Sequence, residues 1–247
     1  MGSDANDIWL AGVDGCPGGW IAAFVRPEGA AGRLQRFGSF AEIVVAPERP
    51  AVVAIDIPIG LPERTGAGGR AAENAVRPLL GARQSSVFSV PSRAAIEATD
   101  YAQACALALA TSDPPRKVSK QLFNIAPKIR EVDTALRADP ALVARVFEVH
   151  PELAFWRLNG ERALSEPKKV KSRRHGPGLT LRRDLLRAAG LPAALIDTPP
   201  PKGAGEDDIL DALACAAVAR RINRGIARPF PGPPPRDAFG LAMAIWA

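Results

Sequence analysis

Ile8-Trp-Leu-Ala-Gly-Val-Asp-Gly-Cys-Pro-Gly-Gly-Trp20 is the stretch that decides the fold. An apolar run ends in Asp14, a Gly/Pro turn follows, and Trp20-Ile-Ala-Ala-Phe-Val25 opens a second apolar run. This pattern predicts a buried strand hairpinned onto a second strand. An Asp-Gly pair is ordinary turn chemistry, so one such acid means little by itself. Its weight comes from recurrence, because aspartate is disfavoured within strands. Ala51-Val-Val-Ala-Ile-Asp56-Ile-Pro-Ile-Gly60 again sets an acid near the end of an apolar strand, just before a turn.

Outward from the hairpin, Arg33 to Phe40 alternates polar and apolar residues, as an edge-like third strand does. Ser39 is placed to cap a short helix ending before Pro47. The Asp56 strand comes next, and Pro58 ends its ladder because proline has no N–H to donate. From Leu61 to about Ala144 the chain is expected to be a mostly helical insertion. Its helices are read at Gly69 to Leu80, Pro91 to Ala110 and Ser119 to Ala138, with Arg83 to Pro91 as a polar loop. A fourth buried strand is expected over Val143 to His150. Helical pattern resumes in Pro151 to Leu158 and from Thr180 to about Ala189. Pro199 to Gly205 links to a last long helix, Glu206 to about Asn223, with Gly225 as its stop. Pro229 to Pro235 reads as extended surface chain, and Gly240 to Ala247 as an edge that tucks back. With no repeats and no second boundary, the 247 residues are expected to form one α/β domain.

Composition narrows the class. At 47% hydrophobic and 23% charged the chain reads as soluble and globular. It shows no apolar run of transmembrane length and no signal-peptide pattern. The start, Met1 to Asn6, lacks the Ser or Thr a myristoylation motif wants at position six. Cys16, Cys105 and Cys215 are odd in number and far apart, which suits a reducing compartment without disulfides. A cytoplasmic location is the expectation. The net charge of +6 is concentrated: between Glu161 and Gly190, nine Lys/Arg face three acids, so this stretch holds the whole excess. Lys168, Lys169, Lys171, Arg173 and Arg174 at its centre are candidates for contact with a nucleic-acid backbone.

The last helix opens Glu206-Asp-Asp-Ile-Leu-Asp211 and runs on almost wholly apolar to Ala219. Acids in a first turn suit the helix dipole. Asp211 lies deeper, three residues after Asp208 and on the same face. Two like charges on a packed face cost free energy unless a cation offsets them.

Gly12-Val-Asp-Gly-Cys-Pro-Gly-Gly-Trp20, Ala54-Ile-Asp-Ile-Pro-Ile-Gly-Leu61, Ser85-Ser-Val-Phe88, Phe147-Glu-Val-His-Pro-Glu152 and Asp207-Asp-Ile-Leu-Asp-Ala-Leu-Ala214 together resemble domain-of-unknown-function family 429. Members are described as predicted nucleases with a ribonuclease H-like fold. The resemblance implies a mixed sheet with helices on both faces. It also implies a metal-dependent nuclease whose acids are Asp14, Asp56, Asp208 and Asp211. Such oxygen ligands suit Mg²⁺ or Mn²⁺, and two ions about 4 Å apart serve phosphodiester hydrolysis. Glu148 is a further catalytic candidate, or else a buried acid paired with an arginine. His150 is a candidate proton carrier, and Asp207 a helix cap that a one-residue shift would exchange with Asp208. Arg83, Ser85 and Ser86 could hold a phosphate or form a polar turn. DNA and RNA both stay open as partners. Two other functions share the features: an actin-like-superfold nucleotide phosphotransferase, and a non-catalytic nucleic-acid-binding module.

Overall fold

The computed structural model describes residues 8–29, 31–171 and 173–247; the amino-terminal stretch read for a lipidation motif lies outside them. Strands β1 (Leu10–Cys16), β2 (Gly19–Val25), β3 (Gly32–Phe37), β4 (Val52–Ile55) and β5 (Val146–Glu148) form one sheet. Their order is β3-β2-β1-β4-β5. The first three are an antiparallel meander. The β1–β4 and β4–β5 pairs are parallel. This mixed α/β sheet is consistent with a ribonuclease H-like fold.

Between β3 and β4 lies α1 (Phe40–Val44), capped by Ser39, whose side chain accepts from Glu42 N. The insertion holds α2 (Ala71–Val76), α3 (Arg93–Glu97), α4 (Tyr101–Ala110), α5 (Lys120–Ala138) and α6 (Pro140–Val143). After β5 come α7 (Pro151–Leu158), the two-residue strands β6 (Lys169–Val170) and β7 (Arg173–Arg174), α8 (Gly176–Ala188), α9 (Ala193–Ile196) and α10 (Glu206–Asn223). The tail closes with β8 (Pro229–Phe230) paired to β9 (Ile245–Trp246). Among the described residues, no helix is long and apolar enough to cross a membrane.

Period-two alternation sends successive strand residues to opposite faces. Ala11 and Val13 of β1, Val53 and Ile55 of β4, and Val146 of β5 join the core built with α1 and the insertion helices. Leu10, Val52 and Ala54 join a second core with α7 to α10. Helix α10 lies directly on β1. A Cβ placed on Gly12 would sit 2.1 Å from Ala212 O and 2.1 Å from Ala216 N, so only glycine allows that approach.

Four expected elements change extent, each for a local reason. The strand expected over Val143 to His150 shrinks because Pro140 and Asp139 start α6 first: Asp139 Oδ1 accepts from Ala141 N at 2.9 Å. Proline at a helix start gives up only an N–H with no partner there. The segment read as one helix over Gly69 to Leu80 becomes α2 and a tighter 3₁₀ stretch, Arg77–Ser86, kinked where Gly81 takes φ 50°. Pro91 to Ala110 divides into α3 and α4 because Asp100 caps afresh, accepting from Gln103 N at 2.8 Å. The helix expected from Thr180 begins at Gly176, with Pro177 in its first turn.

Candidate active site

Asp14 shares the strand parity of Leu10 and Gly12, so it leaves β1 on the α10 side. Asp56 follows β4 by one residue with the parity of Val52 and Ala54, on the same side. Its N–H donates to Val13 O at 2.9 Å, which holds it beside the end of β1. Asp211 is on the face of α10 that meets the sheet, one residue before the Ala212 contact with Gly12. Asp14 and Asp211 are 7% and 2% exposed. Three carboxyls from three elements are thus drawn towards one place.

Their electrostatics carry the strain of that arrangement. Burial first, then Asp56 and Asp211, hold the Asp14 carboxyl well above the usual range against the pull of Lys168. Burial likewise raises Asp56, although His150, Lys168 and a hydrogen bond with Asp14 pull it back. Asp211 is pushed up to about 6 by burial, opposed by Lys168 and reinforced by Asp56 and Glu152. Lys168 is the local cation: its ammonium contacts Asp211 Oδ2. Burial alone would lower it, but Asp211, Asp14 and Asp56 outweigh burial and hold it above its ordinary value. One ammonium faces three carboxyls, and Asp211 Oδ1 stays buried without a hydrogen-bond partner.

Asp208 stands at the edge of the group. Its Oδ2 accepts from Gly205 N at 2.7 Å and so caps α10. It still adds to the negative field on Asp14. Asp207 is the buried one of the pair and bonds Lys169 Nζ at 2.6 Å. The two residues therefore exchange the parts expected of them: Asp208 is the cap and Asp207 an ion-pair partner.

Glu148 has the parity of Val146, opposite to that of the aspartates, yet at the strand end it lines the same cavity as Asp14 and Asp56. Of the two readings the sequence allowed, the geometry is that of an arginine-paired acid. Arg70 Nη2 meets Glu148 Oε1 at 2.6 Å and Nη1 meets Oε2 at 3.0 Å. Ile59 N donates to Glu148 Oε2 at 2.7 Å. Arg70 also donates from Nε to Glu73 Oε1 at 2.8 Å and from Nη1 to Ile59 O at 2.7 Å. Burial raises Glu148 to about 7 even against Arg70. This network ties α2 to the strand ends under the site.

His150 lines a cavity of about 180 Å³ together with Asp14, Asp56 and Ser86. Its Nε2 lies 3.3 Å from Ser86 O. A carbonyl only accepts, so Nε2 carries a proton there. Nδ1 is buried and has no hydrogen-bond partner. Of Arg83, Ser85 and Ser86, Ser86 hydrogen-bonds back to Arg83 O at 2.8 Å, the geometry of a local turn.

The basic segment is an exposed ladder, but three of its five cations are paired to acids of the chain. Lys168 and Lys169 face Asp211 and Asp207, and Arg174 faces Glu206 at 3.5 Å. Lys171 and Arg173 are exposed and form no ion pair among the described residues. Counting charge along a chain could not show this, because the partner acids lie between 32 and 43 residues away.

Glu152 is the residue sequence reading passed over. It is buried, its Oε1 accepts from Arg182 Nη2 at 2.5 Å, and its Oε2 has no partner. It raises both Asp56 and Asp211. The available signal was Arg182, a charge on the otherwise apolar stripe Leu179, Arg182, Leu186 of α8, all three buried.

A cation is what this donor set is short of. Its ligands are hard oxygens, its carboxyls are raised by mutual repulsion, and one Asp211 oxygen is orphaned, so the chemistry fits Mg²⁺ or Mn²⁺. Among the described residues, however, no three His, Cys, Asp or Glu side chains are already gathered as an ion-holding group. Lys168 takes up one oxygen of Asp211 instead.

The raised acids carry a pH signature. A carboxyl whose folded value lies above its unfolded one favours the fold at low pH and loses that contribution as pH rises through the folded value. For Asp211 the window runs from about 4 to about 6. In EDTA the wild type should lose about 3 kcal/mol more than Asp211→Asn between pH 4 and 7, at about 1.4 kcal/mol per unit. Urea melts at several pH values measure this; parallel profiles for the two proteins would contradict the burial-raised assignment.

A family model described as "Protein of unknown function (DUF429)" matches residues 12–236. No curated protein matches the chain, and no solved structure matches it.

Proposed function

The chain belongs to that family of unknown function, and from the geometry we propose that it is a metal-dependent nuclease hydrolysing phosphodiester bonds of DNA or RNA. The observation that carries this reading is the meeting of Asp14, Asp56 and Asp211, from β1, β4 and α10, around too little positive charge. Asp14, Asp56 and Asp211 would hold Mg²⁺ or Mn²⁺, with Asp208 at the rim. A bound divalent ion would acidify water and offset the charge that builds on the phosphate.

The other work falls to the chain itself. The cavity beside Asp14 and Asp56 gives the scissile linkage a place against them. His150 accepts the proton of the attacking water at Nδ1, its ring held by Ser86 O through Nε2. The Glu152–Arg182 pair fixes α7 against α8 behind the site and adds negative field to Asp56 and Asp211. Three buried thiols, none in a disulfide, accord with a reducing compartment, and we read that compartment as the cytoplasm.

The direct test is cleavage of fluorescent single- and double-stranded DNA and RNA with Mn²⁺, with Mg²⁺ and with EDTA. Metal-dependent cutting of any of these supports the proposal; no cutting of any, with protein that melts cooperatively, sinks it. Lys168→Ala gives a second test, by removing the competing ammonium. Breaking a buried pair costs about 3–5 kcal/mol. The Lys168 side chain is 31% exposed, so solvent screening reduces this to about 2 kcal/mol. The metal-free melting temperature should fall by roughly 4–8 °C. Millimolar Mn²⁺ should then raise it more in the variant than in the wild type, through binding to the native state. Equal responses would contradict the competition.

A further inference from the structure

A second, smaller cavity of about 80 Å³ adjoins the acidic one, and Val90 lines both. Its floor is the turn Thr65-Gly-Ala-Gly-Gly69. Gly68 takes φ 83°, and a Cβ there would lie 2.2 Å from Asn74 Oδ1, so the turn leaves an open hollow that only glycine permits. Three cations surround it. Arg116 and Lys117 line its wall and are exposed. Arg77 reaches the rim, donating from Nη2 to Ser89 Oγ at 3.0 Å, with Nη1 beside Gly68.

None of the three forms an ion pair among the described residues. Burial lowers the Arg77 guanidinium, with Glu73 pulling it back up and Arg116 adding a smaller push down. The contrast with the acidic site is sharp. There Lys168 and Lys169 are consumed by aspartates; here Arg116 and Lys117 line a hollow with hydroxyls from Thr65 and Ser89 at its wall, and Arg77 backs it through bonds to Asn74 Oδ1, Val87 O and Ser89 Oγ. Glycine backbone, hydroxyls and uncompensated cations are the chemistry that receives phosphate. The hollow is too small for a nucleoside and ample for one phosphate group.

We infer that this cavity is a phosphate subsite, in which Arg77, Arg116 and Lys117 hold the backbone of a nucleic-acid strand whose scissile linkage lies in the adjoining cavity. The substrate class rests on the hydrolysis proposed above; the anion site rests on its own residues. It also moves the main strand contact away from the β6–β7 segment.

The test is binding of a labelled single strand of about twelve nucleotides, once as DNA and once as RNA, by anisotropy in EDTA across a salt series. The proteins are the wild type, Arg116→Gln with Lys117→Gln, and a charge-matched control, Arg49→Gln with Arg228→Gln, whose exposed residues line neither cavity. The subsite variant should bind on the order of tenfold or more weakly at low salt. Its log–log salt slope should fall by about 1.4, at about 0.7 for each lost phosphate contact on a single strand. The control should keep its slope to within half of that. Inorganic pyrophosphate should compete for the wild type and not for the subsite variant. A subsite variant that binds like the wild type, or a wild type that binds neither strand, overturns the inference. The two proposals fail separately. Subsite-dependent binding without Mn²⁺-dependent cleavage removes the nuclease and keeps the subsite, whereas cleavage with an unchanged KM in the subsite variant does the reverse.

Discussion

Asp14→Asn should lower Mn²⁺-dependent cleavage by about a thousandfold or more, equivalent to about 4 kcal/mol of barrier, while making the metal-free protein more stable. The two effects share one cause. Asp14 is buried among Asp56 and Asp211, which raise it, and Lys168 stands against them with Lys128 further out. An amide keeps the shape and removes one of the three mutually repelling groups, for a gain of about 1–2 kcal/mol and a melting temperature higher by roughly 2–8 °C. Any ion held there loses a charged oxygen, so chemistry suffers. Opposite signs in the two measurements distinguish a functional acid from a structural one, whose loss would lower both. Thermal melts in EDTA and a fluorescent cleavage assay on the same preparation suffice. Retained cutting, or a destabilised apo protein, would remove Asp14 from the proposed centre.

Arg70→Ala should be the most destabilising single change around the site. It strands two buried carboxylates, Glu73 and Glu148, which Arg70 now bridges at 2.7 and 2.6 Å. Removing one partner of a buried pair costs about 3–5 kcal/mol because the other charge stays buried. The melting temperature should fall by roughly 6–20 °C. Arg70→Lys should recover little, since one ammonium cannot reproduce a fork that meets Glu148, Glu73 and the Ile59 carbonyl together. Adding Glu148→Gln to Arg70→Ala should recover part of the loss, because the stranded charge goes with it. A fall below about 1 kcal/mol for Arg70→Ala would mean that the network is hydrated and contributes little.

The strand–turn–strand opening was legible because Asp14 and Asp56 break strong apolar runs, and few other causes put an acid there. The long last helix was legible to its ends, since a Gly/Pro linker and Gly225 bracket it. Other features depend on information that no window of sequence holds. That Glu148 reaches the cavity of Asp14 and Asp56 paired to Arg70 depends on the register of β5 against β4 and on a partner seventy-eight residues away. Asp207 and Asp208 differ by one position at a helix start, where 100° of rotation decides which carboxylate caps and which pairs. Lys168 read as one of a basic run open to a nucleic-acid backbone because its partner, Asp211, is forty-three residues on. The insertion's helices and the break at Gly81 were found, but the break at Asp100 follows from a cap that propensity describes weakly.

Where Gly12 meets Ala212 and Ala216, two backbones touch with no side chain between them. Asp14 is two residues along one of them and Asp211 one residue along the other, so their spacing is fixed by main chain against main chain. Lys168 arrives on a different footing, beside the exposed two-residue ladder of β6 and β7. Parts held by few buried contacts open more readily than a packed core. The three acids are thus set by packed main chain, and the Lys168 ammonium enters from an exposed hairpin whose base is closed by His175 N donating to Lys168 O at 3.0 Å.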